Sequence, residues 1–330
     1  MASLLNSFAE AMTPDMLGKL GQAVGVNPSQ AQEGMSIVGP VLLGSLAHKS
    51  QTTSGLDSIM RMLPEETGGG GFLSRLMGSM SNPLASASML SNVLGPGVSS
   101  IGKALSGRLG FNATPLLATA APAMLGAISQ TAKSNKLNSA DIATMLQQDT
   151  NETLDAAPPD IKSAVDEAFK VGNDAAQLKA RFTDTEWRQI RMAPVAATLY
   201  IASASPSGIT GLAKEVMTSG ETMQSIVKDA APTSLVDVAY GSAPTKPEMD
   251  DESGFEKDAP RETLLTALHT AAAAVKAKSP SDARSFTDTM VALSRKVAEA
   301  SKEGGFLGIG GTRVSKEEEQ AIADVTSAVA

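Results

Sequence analysis

The stretch LGQAVGVNPSQAQEGMSIVGPVLLGSLAHKS, residues 20–50, reads as a helix stop followed by a long apolar helix. Gly25 ends one helix, and Asn27-Pro28 supplies an N-cap and a first-turn proline for the next. Met35, Val38, Leu42 and Leu46 then recur at helical spacing, which predicts a buried face. Inside that run lies GPVLLG, residues 39–44. A proline there removes a backbone donor and crowds the preceding turn, so Pro40 predicts either a kink or a fresh helix start. Gly44, four residues on, leaves a notch on the proline's face that suits a close helix crossing.

The pattern returns in LSGRLGFNATPLLATAAPAMLGAISQTAKS, residues 105–134. Leu20, Gly25, Asn27, Pro40 and Gly44 fall on Leu105, Gly110, Asn112, Pro122 and Gly126, with three residues fewer between the Asn and the Pro in the second copy. A second echo follows, SGLDSIMRML (54–63) against NSADIATML (138–146). Agreement in order, spacing and residue type predicts a duplicated helical unit, with Leu117, Ala121, Met124 and Ile128 as the second buried face. Thr13-Pro14 predicts one more capped helix ahead of Gly25.

On Leu20, Gly25, Pro40, Leu43 and Gly44, and again on Leu105, Gly110, Pro122, Leu125 and Gly126, residues 1–150 resemble tandem copies of the module in the YidB-like group of bacterial proteins, a domain of unknown function. The tail VAEASKEGGFLGIGGTRVSKEE (297–318) is similar to the end of uncharacterised bacterial proteins. The resemblance implies a small, helical, cytosolic bacterial unit and transfers no catalytic residue.

Composition agrees with an all-α fold. Hydrophobic residues make up 42% of the 330 and aromatics only 3%, with Ala, Ser, Leu, Met and Gly dominant, a balance that favours helix over sheet. A formal charge of -8 sets up a surface that repels phosphate backbones, which argues against nucleic-acid partners. Zero Cys excludes disulfides, thiolate nucleophiles and Cys-ligated metals. The start MASLLNSFAEAMTPDM lacks a basic region and carries Glu10 where a signal peptide would be apolar, so a cytoplasmic location is expected.

The expected layout is a first helical copy (1–66), a Gly/Met/Ser-rich connector (67–97), a second copy (98–150), a helical middle region (151–240), an acidic linker (241–260) and a three-helix tail packing on the middle region (261–330). In the connector, Met77, Met80 and Met89 either fill gaps in a core or form an adaptable contact surface. Thr183 and Glu186 form a capping box ahead of Trp187, which reads as an anchor, and Pro194 again sits in an apolar run. The tail predicts helices over Arg261–Lys278, from Ser279-Pro280 onward with Asp282 completing the cap, and after Ser315 with Glu318 at N3.

Catalytic signatures are scarce. EGGFLGIGGTR (303–313) imitates a phosphate loop but has Gly311 at the lysine position and a helix rather than a strand before it. Glu317, Glu318 and Glu319 already occupy the following helix N-terminus, so Gly310, Gly311 and Arg313 stand only as an anion-site alternative to a plain turn. His48 and His269 are far apart and lack acidic partners at metal-ligand spacing; no metal and no cofactor are expected.

Two long uncharged stretches, 76–102 and 109–132, are broken by Asn, Pro, Gly and Ser, as in soluble-core helices. The leading expectation is a non-enzymatic interaction or scaffold protein, binding a protein partner or itself through Pro40, Gly44, Pro122 and Gly126 or through Met77 and Met80. The first alternative is adsorption to a membrane surface through Leu4, Leu5, Phe8 and Met12, or through residues 72–94. The second is ligand binding at the 304–313 loop.

Overall fold

The computed structural model describes residue 4 and residues 14–63, 83–204, 212–242, 259–300 and 314–330. Among the described residues there are helices and turns and no strand, so the fold is all-α as composition predicts. The chain divides into two compact units, Met1–Ala176 and Gln177–Ala330. The division falls inside the region expected as 151–240.

Unit 1 contains α1 (Pro14–Val24), α2 (Pro28–Lys49), α3 (Thr53–Met62), α4 (Pro83–Leu94), a 3-10 turn (Gly95–Gly97), α5 (Val98–Leu109), α6 (Thr114–Ser134), α7 (Ser139–Ala156) and α8 (Pro159–Ala180), whose last residues belong to unit 2. Helix α2 is its axle, packing against α1, α3, α4, α6 and α7. From Gly34 to Ala47 every residue of α2 is buried except Ser36 and Ser45. A helix that is apolar all round belongs in an interior. Both expected faces are buried: Met35, Val38, Leu42 and Leu46, then Leu117, Ala121, Met124 and Ile128. Pro40 and Pro122 lie inside continuous helices, so neither starts a new one.

Local chemistry sets the helix ends. Asn27 Oδ1 accepts from Gln30 N at 2.9 Å while Gln30 Oε1 accepts from Asn27 N at 3.1 Å, a capping box that starts α2. Asn138 and Asp141 do the same for α7. Gly25 (φ 76°) and Gly110 (φ 74°) take the left-handed conformation that ends α1 and α5. The expected repeat of the start at Asn112 is corrected: the cap of α6 is Ala113, whose N–H donates to Ser106 Oγ at 2.8 Å, and Asn112 Oδ1 accepts from Thr114 N. Its proline, Pro115, comes two residues later after the Asn than Pro28 does, which moves the helix start. Thr13, the other expected cap, lies outside the described residues.

Residues 83–97, counted by composition with the connector, belong to unit 1. Leu90, Val93 and Leu94 of α4 are buried, and Met89 packs half-buried against them as gap filler. Among the described residues no single helix is long and apolar enough to cross a membrane. One pair bent by 114°, Ser86–Leu109 with Thr114–Ser134, passes by length and composition alone.

Unit 2 contains α9 (Asp184–Ala202), α10 (Leu212–Asp229), α11 (Leu235–Tyr240), α12 (Arg261–Lys278), a 3-10 turn (Pro280–Asp282), α13 (Ala283–Ala300) and α14 (Lys316–Val329). Helix α9 packs against all five others. The Thr183–Glu186 box caps it, and Trp187 sits buried with the Phe182 ring 5.8 Å away.

Pro194 lies within α9 and cannot donate to the carbonyl four residues earlier, that of Ile190. The hydroxyl of Tyr240 donates to that carbonyl instead, at 2.9 Å. Next to it the buried Arg191 donates to the backbone carbonyls of Ala239, in the last turn of α11, and Ser242, just past it, where a helix favours positive charge.

In the tail, Phe286, Met290, Leu293 and Val297 of α13 are fully buried. The cap expected at Ser279 is corrected: its hydroxyl donates to Asp282 Oδ2 at 2.6 Å, and Asp282 Oδ1 accepts from Leu235 N, so Asp282 serves the first turn of α11 as well. A short helix with its own orphan donors outbids a purely local cap.

Candidate functional site

A cleft of about 480 Å³ opens in unit 1 beside the C-terminal end of α2. One wall is the last turn of α2, with Gly44, Ala47, His48 and Lys49, and Gln51 just beyond it. Val93 and Leu94 of α4, the Gly95–Pro96 turn and Ile101 of α5 make the second. Helix α7 contributes Gln147, Thr150 and Asn151, and α8 contributes Ala168, Phe169, Gly172, Asn173 and Ala176. The floor is therefore apolar and the rim is amide-bearing, with no carboxylate among the lining residues. Its volume lies within the roughly 300–1,000 Å³ usual for ligand sites.

Glycines bring these walls together. A Cβ on Gly44 would lie 3.1 Å from Phe169 Cε2, with Cζ closer still, so the ring of Phe169 fills the notch beside Pro40. A Cβ on Gly97 would meet Gly172 Cα at 2.9 Å, so the 3-10 turn lies backbone to backbone on α8. Phe169 and Gly172, three residues apart, face the same side of α8.

Lys49 is the notable charge of the cleft. It is half-buried, and burial pushes its amine below the usual lysine range. Its Nζ donates to the carbonyl of Asn92 and makes no ion pair among the described residues. His48, its neighbour, is exposed in the last turn of α2.

The residues expected to bind are distributed as follows. Pro40, Gly44 and Gly126 are buried and Pro122 is half-buried, and of these only Gly44 reaches the cleft. Met77, Met80, Gly310, Gly311 and Arg313 lie outside the described residues, as do Leu5, Phe8 and Met12 of the expected membrane face. Leu4, from that same face, is 1% exposed, and its N–H donates to Asp149 Oδ2 of α7 at 2.6 Å. Sequence reasoning missed Lys49, Asn173 and Phe169, which carry no motif. The half-polar sequence of α8 was the available signal, and it is shared by any surface helix.

Unit 2 holds a different arrangement. Glu215 of α10 is fully buried, and neither carboxylate oxygen has a hydrogen-bond partner. Burial first, and the charge of the buried Glu318 second, raise its pKa above the ordinary glutamate value. Glu318 itself accepts from Ser315 N and Ser315 Oγ, each at 2.8 Å, in the capping box of α14. Elsewhere Tyr200 donates to Asp324 Oδ2 at 2.7 Å under the guanidinium of Arg261, 4.1 Å from the ring centroid. Among the described residues no group of three or more His, Cys, Asp or Glu is placed to hold a metal ion.

Residues 6–131 match the family described as bacterial protein of unknown function (DUF937), the YidB-like family, as the resemblance over 1–150 implied. The match spans α1 to most of α6 and stops before α7 and α8, which supply eight of the nineteen residues lining the cleft. Neither a curated protein nor a solved structure matches the chain.

Proposed function

We propose, for a chain whose residues 6–131 are a YidB-like domain, that it is a non-enzymatic interaction protein holding a segment of a protein partner in the cleft of unit 1. The observation that carries this reading is the lining itself: an apolar floor with an amide rim, Gln51, Gln147, Asn151 and Asn173, suited to the N–H and C=O groups of a bound peptide. The buried position of Leu4 favours a protein partner over a lipid surface, because an adsorbing face must be free. The net charge of -8 favours it over nucleic acid, and we place the protein in the cytoplasm, which fractionation tests.

A photo-crosslinking amino acid at Asn173 is the direct test of the binding reading. It should capture a defined protein in cells, and Asn151→Trp, which fills the cleft from an exposed position, should abolish the capture. Capture that survives Asn151→Trp, or none at all, overturns the reading.

We also read α1–α3 and α5–α7 as two copies of one ancestral unit. The shared helix order, the left-handed Gly25 and Gly110 and the interior Pro40 and Pro122 support this. A crystal structure in which residues 20–50 and 105–134 superimpose with Pro40 on Pro122 is the expected result. Dissimilar helix arrangements would overturn it.

A further inference from the structure

We infer that the segment held in the cleft of unit 1 is acidic as well as apolar, with a carboxylate side chain that pairs with Lys49 next to a large apolar side chain on the floor. This rests on the binding reading above and names the chemistry of the partner.

The charge balance of the lining departs from that of the chain. Acidic residues outnumber basic ones overall, 35 to 27, yet the ionisable groups facing the cleft are the adjacent His48 and Lys49. A cleft that carries a cation and no carboxylate, on a chain of net negative charge, favours anionic segments over neutral ones there.

Lys49 gives that preference a definite anchor. An ammonium carries three donors, and one is used on the neutral carbonyl of Asn92. Half-burial removes water from the amine without supplying an anion in return. The negative pole at the end of α2 offsets part of that cost and keeps the side chain at the rim. A carboxylate reaching the two unspent donors completes the site. The apolar neighbour of that carboxylate then has Val93, Leu94, Ile101, Ala168 and Phe169 to cover it. The four rim amides serve the peptide backbone between them.

The test uses the full chain and a fluorescein-labelled heptapeptide of alternating Asp and Leu/Phe, compared by anisotropy with its twin in which each Asp is Asn. The acidic peptide should bind about tenfold more tightly, as a charge-assisted hydrogen bond implies. Lys49→Met should bring the two peptides to within about twofold by weakening the acidic one far more than its Asn twin, and Lys49→Arg should keep most of the preference. Added salt should weaken the acidic peptide selectively. Thermal melts confirm that the variants are folded. Equal affinity for the two peptides, a preference that survives Lys49→Met, or decanoate competing as well as the peptide overturns the inference. Should crosslinking at Asn173 succeed while the Lys49 preference is absent, only this inference falls; if crosslinking also fails, the binding reading falls with it.

Discussion

The ring of Phe169 occupies the space in which a side chain on residue 44 would begin. A glycine in the most buried helix of unit 1 is thus explained by an aromatic residue far along the chain, and the cleft's inner wall depends on the pair.

Gly44→Ala should destabilise unit 1 by about 1–3 kcal/mol, because the ring must be displaced from a packed site. Phe169→Ala removes a half-buried ring and should cost about 2 kcal/mol, less than a fully buried phenylalanine. The double variant should cost clearly less than the two single costs added, since the new methyl then meets empty space. Urea denaturation of the three variants checks this, and strict additivity would show that the two residues are not coupled.

A second coupling links Pro194 and Tyr240. Tyr240→Phe strips the carbonyl of Ile190 of its donor and should cost about 1–2 kcal/mol. In a Pro194→Ala background the helix regains its own N–H for that carbonyl, so the same Tyr240→Phe change should cost less than half as much. Equal costs in both backgrounds would mean that the hydroxyl does not replace the missing amide.

Glu215 makes stability in unit 2 depend on pH in a defined direction. Its pKa is raised in the folded protein, so the native state binds the proton more tightly than the unfolded chain does. Its contribution is present below the ordinary glutamate pKa and is lost as pH rises through the raised value. Glu215→Met should therefore exceed the wild type by about 1–3 kcal/mol at pH 8, the cost of an unsatisfied buried polar group, and the gap should narrow towards pH 4. A gap that does not change with pH would show that Glu215 is not titrating in this range.

Glycines 25 and 110 differ from glycines 18 and 107 in backbone alone, since none of the four would meet a neighbour through an added Cβ. Gly25→Ala and Gly110→Ala put a side chain on a left-handed residue and should each cost about 1–2 kcal/mol. Gly18→Ala and Gly107→Ala lie within helices and should stabilise by about 0.5–1 kcal/mol. Melting temperatures of the four variants should move in these opposite directions.

Much of the fold was legible because its signals are local. The Asn27, Thr183 and Ser315 caps, the stop glycines and the buried faces of α2, α6 and α13 follow from spacing within a turn or two. What was not legible depends on distant partners. Nothing around Gly44 announces Phe169, and nothing around Asp282 announces the N–H of Leu235. The site was less legible still: Lys49 acquires its character from burial and from the absence of carboxylates across a cleft assembled from α2, α4, α5, α7 and α8.

The backbone contact between Gly97 and Gly172 fixes how far apart two walls of the cleft stand. A methyl group on Gly97 would prise the turn from the helix and enlarge the opening, whereas one on Gly172 would meet the Ile101 side chain at 3.2 Å. Adjustment of the entrance to a bulkier guest thus lies a single codon change away, with the chemistry of the rim left intact.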